Sequence, residues 1–352
     1  MLEPRLSWLI FGAGAIGTYI GGSLILQGEK VVFVEQPGTD SLLRDRGLKL
    51  HIRGQDYRIL HPVVFSNLEA AFAYTTFDIA VFALKSFDTQ PTLESIRPFA
   101  STFPPVLCLQ NGVENEAMLE TVLGKTRVIP GTVTSAVRRV DAGDIILERA
   151  RGVGLSSGHS LSTTIAQILT SSHLIARLYS SPVAMKWSKM LTNLLANASA
   201  AILDMTPTEI LSHPALYLVE IAQLREAIAV MQALGIRPVD LPGVPVRSFA
   251  WAVNQLTPRL SQPIISRMAG KGRGEKMPSF HIDLHSGRGK SEVDYLNGAV
   301  VRFGQHNGIP TPINHWLCQT LLDQIQGKIP LEEYSHQPDK YLRTIHLSEE
   351  ID

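Results

Sequence analysis

A doubly wound α/β sheet followed by an all-helical domain is the fold class that the amino-acid sequence predicts. In the first half of the chain, short apolar runs typical of buried parallel strands, such as Leu6 to Phe11 and Asp78 to Leu84, alternate with helix-like segments. From about Ser180 to Gly327 the strand pattern stops, and capped helices follow one another. The 352 residues suffice for two domains of ordinary size.

A glycine-rich turn near the start of the chain makes the first domain Rossmann-type. The turn follows the strand Leu6 to Phe11 and opens a helix that Gly28 ends; a second strand, Val31 to Val34, then leads into Glu35. The residues of the turn are Gly12, Ala13, Gly14, Ala15, Ile16 and Gly17. The pattern GxGxxG also occurs in ordinary turns, but this context indicates a dinucleotide site, with the pyrophosphate at the helix N-terminus.

The strands that follow place two more polar residues at the same edge of the sheet. Further strands are predicted at Asp78 to Leu84, Pro105 to Leu109 and Arg127 to Ser135, and hairpins at Leu48 to Phe65 and Val137 to Arg149. Lys85 and Asn111 follow two of these strands, where ligands of open α/β sheets bind, so both could contact the cofactor. The alternative is a solvated loop lysine and a simple turn at Asn111-Gly112.

The composition argues against several classes of partner. Lys and Arg number 32, as do Asp and Glu, and a formal net charge of zero disfavours nucleic acid or anionic lipid as the main partner. We find neither a run of about 18 apolar residues nor a signal segment at Met1, so we expect no membrane association. Cys108 and Cys318 lie far apart in apolar segments, which is typical of reduced core thiols and favours a cytoplasmic location.

The helix predicted after Pro182 carries a line of polar residues. Lys189, Asn193 and Asn197 are four residues apart, which places them on one side of an otherwise apolar helix. That side could simply face solvent. The functional interpretation is a site in the cleft between the domains, where a lysine protonates a carbonyl oxygen and amides bind the substrate. Lys186, one turn earlier, is an alternative that spacing leaves open.

Glu292 is a second candidate, an acid in the first turn of a helix that Ser291 and Asp294 would cap. Such a glutamate is often only a partner of the helix dipole. A lone histidine such as His281 is more often a hydrogen-bonded core or surface residue than a ligand. Because no His, Cys and Asp cluster shows metal-ligand spacing, we expect no metal.

Together these motifs resemble the ketopantoate reductases (2-dehydropantoate 2-reductases) over nearly the whole chain up to about residue 325. The segments that carry the resemblance are Gly12-Ala13-Gly14, Lys85, Gln110-Asn111-Gly112, Trp187 to Asn197, Pro278-Ser279 and Ser291 to Gly298. The resemblance implies an N-terminal Rossmann domain and a helical C-terminal domain, with the active site in the cleft. It also implies reduction of the ketone of 2-dehydropantoate by NADPH, a step towards pantothenate and coenzyme A.

The resemblance also implies residue roles. It makes Lys189 the general acid and places Glu292 beside the cofactor and the reacting centre. It makes Asn193, Asn197 and Ser279 substrate-binding residues and places Lys85, Asn111 and Ala136 near the cofactor. We therefore expect a dinucleotide-binding domain over residues 5–181, a helical substrate domain over 182–328 and a loosely held polar tail over 329–352. The helical domain is also a candidate homodimer surface.

The chain departs from the family pattern in two places. An extra residue between Asp283 and Glu292 leaves the partner of Ser279 open. The arginine that family members commonly carry after the second strand is replaced by Gln36, preceded by Glu35. The family implies NADP(H), whereas a carboxylate at this position accepts the ribose hydroxyls of NAD(H). Arg44 or Arg46 could supply a replacement cation for a 2′-phosphate.

Three functions remain open from the sequence. The first is reduction of 2-dehydropantoate, and the second is reduction of another small 2-oxo acid, since Lys and Asn side chains recognise any 2-oxo carboxylate. The third is a non-catalytic dinucleotide-sensing protein. A sensor does not need Lys189 and Glu292, so their presence argues against it.

Overall fold

The computed structural model describes residues 5–270, 276–287 and 289–345. The strands are β1 Ser7–Phe11, β2 Lys30–Val34, β3 Leu48–Ile52, β4 Gln55–Ile59, β5 Val63–Phe65, β6 Ile79–Phe82, β7 Val106–Cys108, β8 Val128–Val133, β9 Ala136–Asp141, β10 Asp144–Arg149, β11 Val153–Ser156 and β12 Ala176–Tyr179. The helices are α1 Ala15–Leu26, α2 Thr39–Arg46, α3 Leu68–Tyr74, α4 Thr89–Ile96, α5 Asn115–Leu123, α6 Ser162–Ser171, α7 Pro182–Leu194, α8 Ala198–Leu203, α9 Pro207–Ser212, α10 Pro214–Ala233, α11 Val246–Gln255, α12 Pro258–Gly270, α13 Ser279–His285, α14 Val293–His306, α15 Pro312–Ile325 and α16 Pro338–Thr344.

The chain divides into two compact units. Unit 1 ends at Lys186 and also includes Leu241–Val244, while unit 2 comprises Trp187–Asp240 and the chain from Pro245 onwards. The boundary therefore falls inside α7, a few residues beyond the change in sequence character near Ser180. Unit 1 contains the sheets, and the described part of unit 2 is helical, so the predicted fold class is confirmed.

Unit 1 is built on an eight-stranded sheet with the order β12-β11-β8-β7-β6-β1-β2-β5. Its strand pairs are parallel except that β11 runs antiparallel to β8. The chain leaves β1 towards β2 and β5 and then returns to β6 on the other side of β1. In such a sheet ligands bind beyond the carboxyl ends of the strands, where the strand order reverses.

Strand β1 is buried on both faces, as its apolar run predicts. Trp8 and Ile10 point into one core of the unit, and Leu9 and Phe11 point into the other. This alternation fixes the register of β1, because a slip of one residue would exchange the two faces.

Both cysteines, Cys108 and Cys318, are buried free thiols, and burial raises the pKa of Cys318 to about 12.

A second sheet of unit 1 has the order β4-β3-β10-β9, and it corrects the prediction of one hairpin from Leu48 to Phe65. The hairpin turns at Gly54, which has a φ of 73°, and ends with β4 at Ile59. The segment β5 instead pairs in parallel with β2 at the edge of the main sheet. The physical reason is that Val64 is apolar and buried there, whereas β4 is polar and largely exposed.

Unit 2 is organised around the 20-residue helix α10. It packs against α9, α11, α12, α14, α15 and α16. A capping box of Thr206 and Glu209 opens α9, and Gly235, with a φ of 68°, lies two residues after the end of α10. Among the described residues, no helix combines the length and the apolar character needed to cross a membrane.

The prediction of a loosely held tail is wrong for residues 331–345. The Tyr341 side chain is buried, its ring packs edge-on against Trp316, and its hydroxyl lies 2.7 Å from Ser199 Oγ. Burial, followed by the charge of Glu220, raises the pKa of Tyr341 well above its usual value. One buried aromatic residue thus anchors a segment whose polar composition indicated a loose tail. Residues 346–352 lie outside the described part of the chain.

Candidate functional site

The glycine-rich turn has the geometry that a dinucleotide needs. Gly12 has a φ of 85°, and its N–H donates to Val34 O at 3.0 Å, which joins the turn to the end of β2. A Cβ atom on Gly17 would lie 1.8 Å from Gly12 O, so α1 can approach the turn only because residue 17 is glycine. A Cβ on Gly14 would meet nothing within 4 Å, which leaves open space above the turn for a phosphate.

Glu35 lies at the end of β2, and its carboxylate reaches back to this turn. Its Oε2 accepts from Ala13 N at 2.6 Å, and its Oε1 accepts from Gln36 N at 3.0 Å. The Gln36 side chain is exposed. The group nearest the glycine turn on this side is therefore a carboxylate, which accepts ribose hydroxyls and repels a 2′-phosphate.

The two arginines that could replace the missing cation have other partners. Arg44 donates to Val64 O at 3.0 Å and pairs with Asp40 at 2.9 Å. Burial raises the pKa of Asp40, but hydrogen bonds from Ser41 N, Gly38 N and Arg44, together with the charge of Arg44, outweigh it, so the net pKa of Asp40 is lowered.

Arg46 instead pairs with Asp141 at 3.1 Å, and both side chains are largely exposed. An exposed ion pair of this kind contributes little and is easily broken. Arg46 is therefore the more easily released of the two arginines.

A polar network lies at the carboxyl ends of β6 and β7 and positions Lys85 and Asn111. Gln110 Nε2 donates to Thr89 Oγ1 at 2.8 Å and to Lys85 O at 3.3 Å. Asn115 Nδ2 donates to Asn111 O at 2.5 Å, and Ser86 Oγ donates to the same oxygen at 3.0 Å. The backbones of both candidate residues are thus tied together beside the switch point of the sheet. The sequence pattern does not reveal this network, because three of its four bonds join residues 21 to 25 positions apart.

Ala136 opens β9 of the small sheet, and the hairpin of that sheet reaches the glycine turn. At the tip of the hairpin, Gly143 N donates to Ala13 O at 3.2 Å. The small sheet therefore supports one side of the turn, which is compatible with the predicted place of Ala136 near the cofactor.

Lys186 has a structural role within unit 1. It is buried, and its Nζ donates to Gln110 O at 2.6 Å and to Gly131 O at 3.3 Å. It also pairs with Glu116 at 2.7 Å. These contacts tie the ends of β7 and β8 together and occupy the ammonium group. Of the two lysines that spacing left open, Lys189 is the better general-acid candidate.

The predicted line of Lys189, Asn193 and Asn197 does not lie on one continuous helix. Helix α7 ends at Leu194, and Ala196 takes a left-handed conformation with a φ of 49° before α8 begins. The cause is the buried carboxylate of Glu220, whose Oε2 accepts from Ala196 N at 2.5 Å. The break separates Asn197 from the helix that carries the other two side chains, which are both half-buried on α7.

After the break, Asn197 is directed at the start of α13. Its Oδ1 accepts from Phe280 N at 3.1 Å, and its Nδ2 donates to Ser279 Oγ at 3.2 Å and to Asn193 O at 3.0 Å. Two of the predicted substrate-binding residues are therefore bonded to each other. These bonds make Asn197 a residue that holds Ser279 in place, and its own contact with substrate stays a prediction.

Glu292 is fully buried and is the N-cap residue of α14, one position before the first turn in which it was predicted. The Ser291 hydroxyl accepts from Val293 N at 3.2 Å, so Ser291 contributes to the cap as expected. Burying a carboxylate is costly unless it has partners. Full burial is therefore uncommon for a glutamate that only offsets a helix dipole.

The prediction of no metal site depended on sequence spacing, and it overlooked a cluster that the fold assembles. His281 and His285 on α13 lie beside Asp204, which follows α8, and the ligand atoms of the three lie within 4.8 Å of one another. Burial lowers the pKa of His281, the hydrogen bond to the Asp204 carboxylate raises it, and the neighbouring His285 lowers it; the net pKa is lowered.

Comparison with known proteins matches both halves of the chain to one family. The family model described as ketopantoate reductase PanE/ApbA matches residues 8–157, and its C-terminal counterpart matches residues 183–325. The 2-dehydropantoate 2-reductase of Archaeoglobus fulgidus is 27% identical over 323 residues, covering 90% of this chain and 96% of that protein.

Solved structures give the same similarity. The PanE/ApbA family ketopantoate reductase from Ralstonia eutropha JMP134 has a TM-score of 0.76 and 25% identity, over 91% of this chain and 99% of that one. D-mandelate dehydrogenase with NADH and anilino(oxo)acetate has a TM-score of 0.74 at 20% identity, over 91% and 98% of the two chains, and shares the fold.

The two glycines of the turn should respond differently to a Cβ atom. Gly14→Ala should fold normally, because its Cβ meets nothing, but should weaken dinucleotide binding at least about tenfold, or 1.4 kcal/mol. Gly17→Ala should lose about 3 kcal/mol of stability as well as binding, because its Cβ overlaps Gly12 O. Thermal unfolding and fluorescence titration measure both, with Gly158→Ala as control. Full affinity in Gly14→Ala would contradict a phosphate position above the turn.

Proposed function

This chain belongs to the ketopantoate reductase family, and from that premise we propose that it reduces the C2 ketone of 2-dehydropantoate with a reduced nicotinamide dinucleotide. The observation that carries the proposal is the match of family models to both halves of the chain. In that reaction a bound dinucleotide would supply a hydride to C2, the carbonyl π-electrons would move to oxygen, and this oxygen would take one proton from the protein. The products would be pantoate and the oxidised dinucleotide.

The proposal divides the requirements of this reaction between the two units. Unit 1 supplies the dinucleotide position, through the glycine turn, Glu35 and the loops that carry Lys85 and Asn111. Unit 2 supplies the proton donor Lys189 and the polar groups of Asn193 and Ser279. When bound, the nicotinamide supplies the hydride, and the protein supplies position, charge stabilisation and the proton.

Lys189 is the proposed general acid. A cationic donor directed at the developing alkoxide stabilises the transition state more than the ground state, because the charge appears only as hydride arrives. Such a group contributes several kcal/mol, equivalent to about 10²- to 10³-fold in rate. Lys186 cannot easily replace it, since its ammonium group is buried on Gln110 O, Gly131 O and Glu116.

Ser279 and Asn193 are proposed to bind the oxygens of the substrate, with Asn197 holding Ser279. Ser279 is the first residue of α13, and Asn197 fixes both its hydroxyl and the next backbone N–H. A hydroxyl held by a buried amide is pre-organised, so little conformational entropy is lost when a ligand binds it. Glu292 is proposed to act beside the cofactor and the reacting centre.

We further propose that the cofactor is NADH in preference to NADPH. The support is electrostatic. The Glu35 carboxylate is fixed over the glycine turn by Ala13 N, and Arg44 is held by Val64 O and the buried Asp40. To bind a 2′-phosphate, Arg44 would have to leave Asp40 uncompensated, and Glu35 would still repel the phosphate. Arg46 is the remaining candidate, because breaking its exposed ion pair with Asp141 would cost little.

The experiment that tests the proposed reaction follows cofactor absorbance after mixing with a panel of 2-oxo acids. We expect oxidation of NADH in amounts equal to added 2-dehydropantoate, and slower oxidation with unbranched 2-oxo acids. Faster turnover of another panel member would identify a different substrate. Tight dinucleotide binding without turnover of any panel member would favour the non-catalytic sensor.

Lys189→Ala should lower kcat at least about 10²-fold and leave dinucleotide affinity within a few-fold, because the lysine acts mainly in the transition state. Lys328→Ala, which removes an exposed lysine of unit 2, is the matched control and should be silent. Lys186→Ala should instead lower the melting temperature, since it leaves Glu116 buried without its cation. A large kcat loss confined to Lys186→Ala, in a protein of normal stability, would show that the general acid is misassigned.

Ser279→Ala should raise KM for the keto acid about tenfold without changing thermal stability. Asn197→Ala should raise KM and also lower stability by about 1–3 kcal/mol, because Phe280 N loses its acceptor. Steady-state kinetics and thermal unfolding separate the two effects, with the exposed Asn254→Ala as control. An unchanged KM in both variants would remove them from the substrate site.

The unmodified protein should have the higher kcat/KM with NADH. The double change Glu35→Ala, Gln36→Arg should shift the ratio towards NADPH at least about tenfold, which is a modest 1.4 kcal/mol for a charge-assisted hydrogen bond. Arg46→Ala is the control and should leave the ratio unchanged. A strong NADPH preference that Arg46→Ala or Arg44→Ala abolishes would show that this arginine binds the 2′-phosphate.

A further inference from the structure

We propose that unit 2 binds one divalent transition-metal ion, with Zn²⁺ as the best chemical fit, through Asp204, His281 and His285. The three residues each offer one ligand atom, and these atoms lie within 4.8 Å of one another. Two imidazole nitrogens with one carboxylate oxygen form a common donor set of Zn²⁺, which prefers four ligands in a tetrahedral arrangement. None of the three is a residue to which the proposed reduction assigns a role.

Helix α13 places the two histidines for joint binding. Their separation of four residues puts both rings on one face of the helix. The ring centroids are 4.2 Å apart with an interplanar angle of 38°, and His281 Nε2 lies 2.7 Å from Asp204 Oδ1. His285 is exposed, so there is space on the solvent side for a change of its rotamer towards this oxygen.

Asp204 is held in the required place by an unusual backbone conformation. It is the residue after α8 and is left-handed, with a φ of 52° and a ψ of 40°. A residue with a Cβ adopts this conformation at some cost, and such strain is frequent at ligand sites. The conformation places its carboxylate against α13, where His281 reaches it.

A fourth donor is available from the C-terminal segment. His336 Nε2 lies 4.0 Å from Asp204 Oδ2, and His336 N donates to Leu203 O at 2.8 Å, so this histidine is tied to the same helix end. Its side chain is 64% exposed, which leaves space for the change of rotamer that ligation would require. Three imidazoles and one carboxylate would complete a closed four-ligand site, which is typical of structural zinc.

A metal ion here would join three parts of unit 2. It would link α13, the end of α8 and the segment that contains His336. Because binding to the folded state alone stabilises it, Zn²⁺ at about 100 times its Kd should raise the melting temperature of this unit by at least about 4 °C.

The test uses the full chain, free of any purification tag and stripped of metal with a chelator. Zn²⁺ is titrated in competition with a chromophoric chelator, and Co²⁺ serves as a second probe whose visible absorption reports tetrahedral coordination. We expect one Zn²⁺ per chain. His285→Ala and Asp204→Asn should each weaken binding at least tenfold, and His336→Ala should weaken it less. These changes are chosen to preserve the fold, since His285 and His336 are exposed and asparagine tolerates the left-handed conformation.

The exposed His315→Ala is the matched control and should bind Zn²⁺ as the unmodified chain does. Equal Zn²⁺ affinity in the unmodified chain and in the double variant His281→Ala, His285→Ala would overturn the proposal. The proposal would also be overturned if His315→Ala weakened Zn²⁺ binding as much as His285→Ala does. These readouts do not depend on reductase activity, so the metal site and the proposed reaction can fail separately.

Discussion

The approach of helix α1 to the turn after β1 sets the geometry of the proposed dinucleotide site. Gly17 allows this approach, because any Cβ there would lie 1.8 Å from Gly12 O. The same turn is joined to the end of β2 through Gly12 N and to the small sheet through Ala13 O. Parallel strands buried on both faces hold this arrangement rigid, so the helix N-terminus and the Glu35 carboxylate occupy fixed places relative to a bound dinucleotide.

Charge at the end of β2 is one of the two features in which the sequence departs from the pattern of its family. A carboxylate and an amide, Glu35 and Gln36, stand where family members commonly carry an arginine. The nearby arginines are engaged with Asp40 and Asp141, and only the second pair is exposed enough to exchange partners at little cost. We therefore propose that cofactor choice in this protein depends on these few local interactions and not on the fold.

Local patterns in the sequence predicted the fold well, because each depends on residues close in the chain. The glycine turn and the buried strand β1 are of this kind. The errors came from non-local contacts. The Glu220 carboxylate accepts a hydrogen bond where the helix breaks before Asn197. The strand that contains Val64 pairs with β2 in the main sheet, and the buried Tyr341 side chain anchors the C-terminal segment. The cluster of Asp204 with His281 was missed for the same reason, since the two residues are 77 positions apart.

The central claim is direct hydride transfer from a nicotinamide to C2 of a 2-oxo acid. The most direct measurement uses NADH deuterated at C4 on the transferred face, with 2-dehydropantoate as substrate, and mass spectrometry of the product. The account predicts pantoate carrying one deuterium at C2, and no carbon-bound deuterium at C2 when water is the only labelled component. Pantoate without label at C2 from deuterated NADH, or with label at C2 from heavy water, would contradict direct transfer.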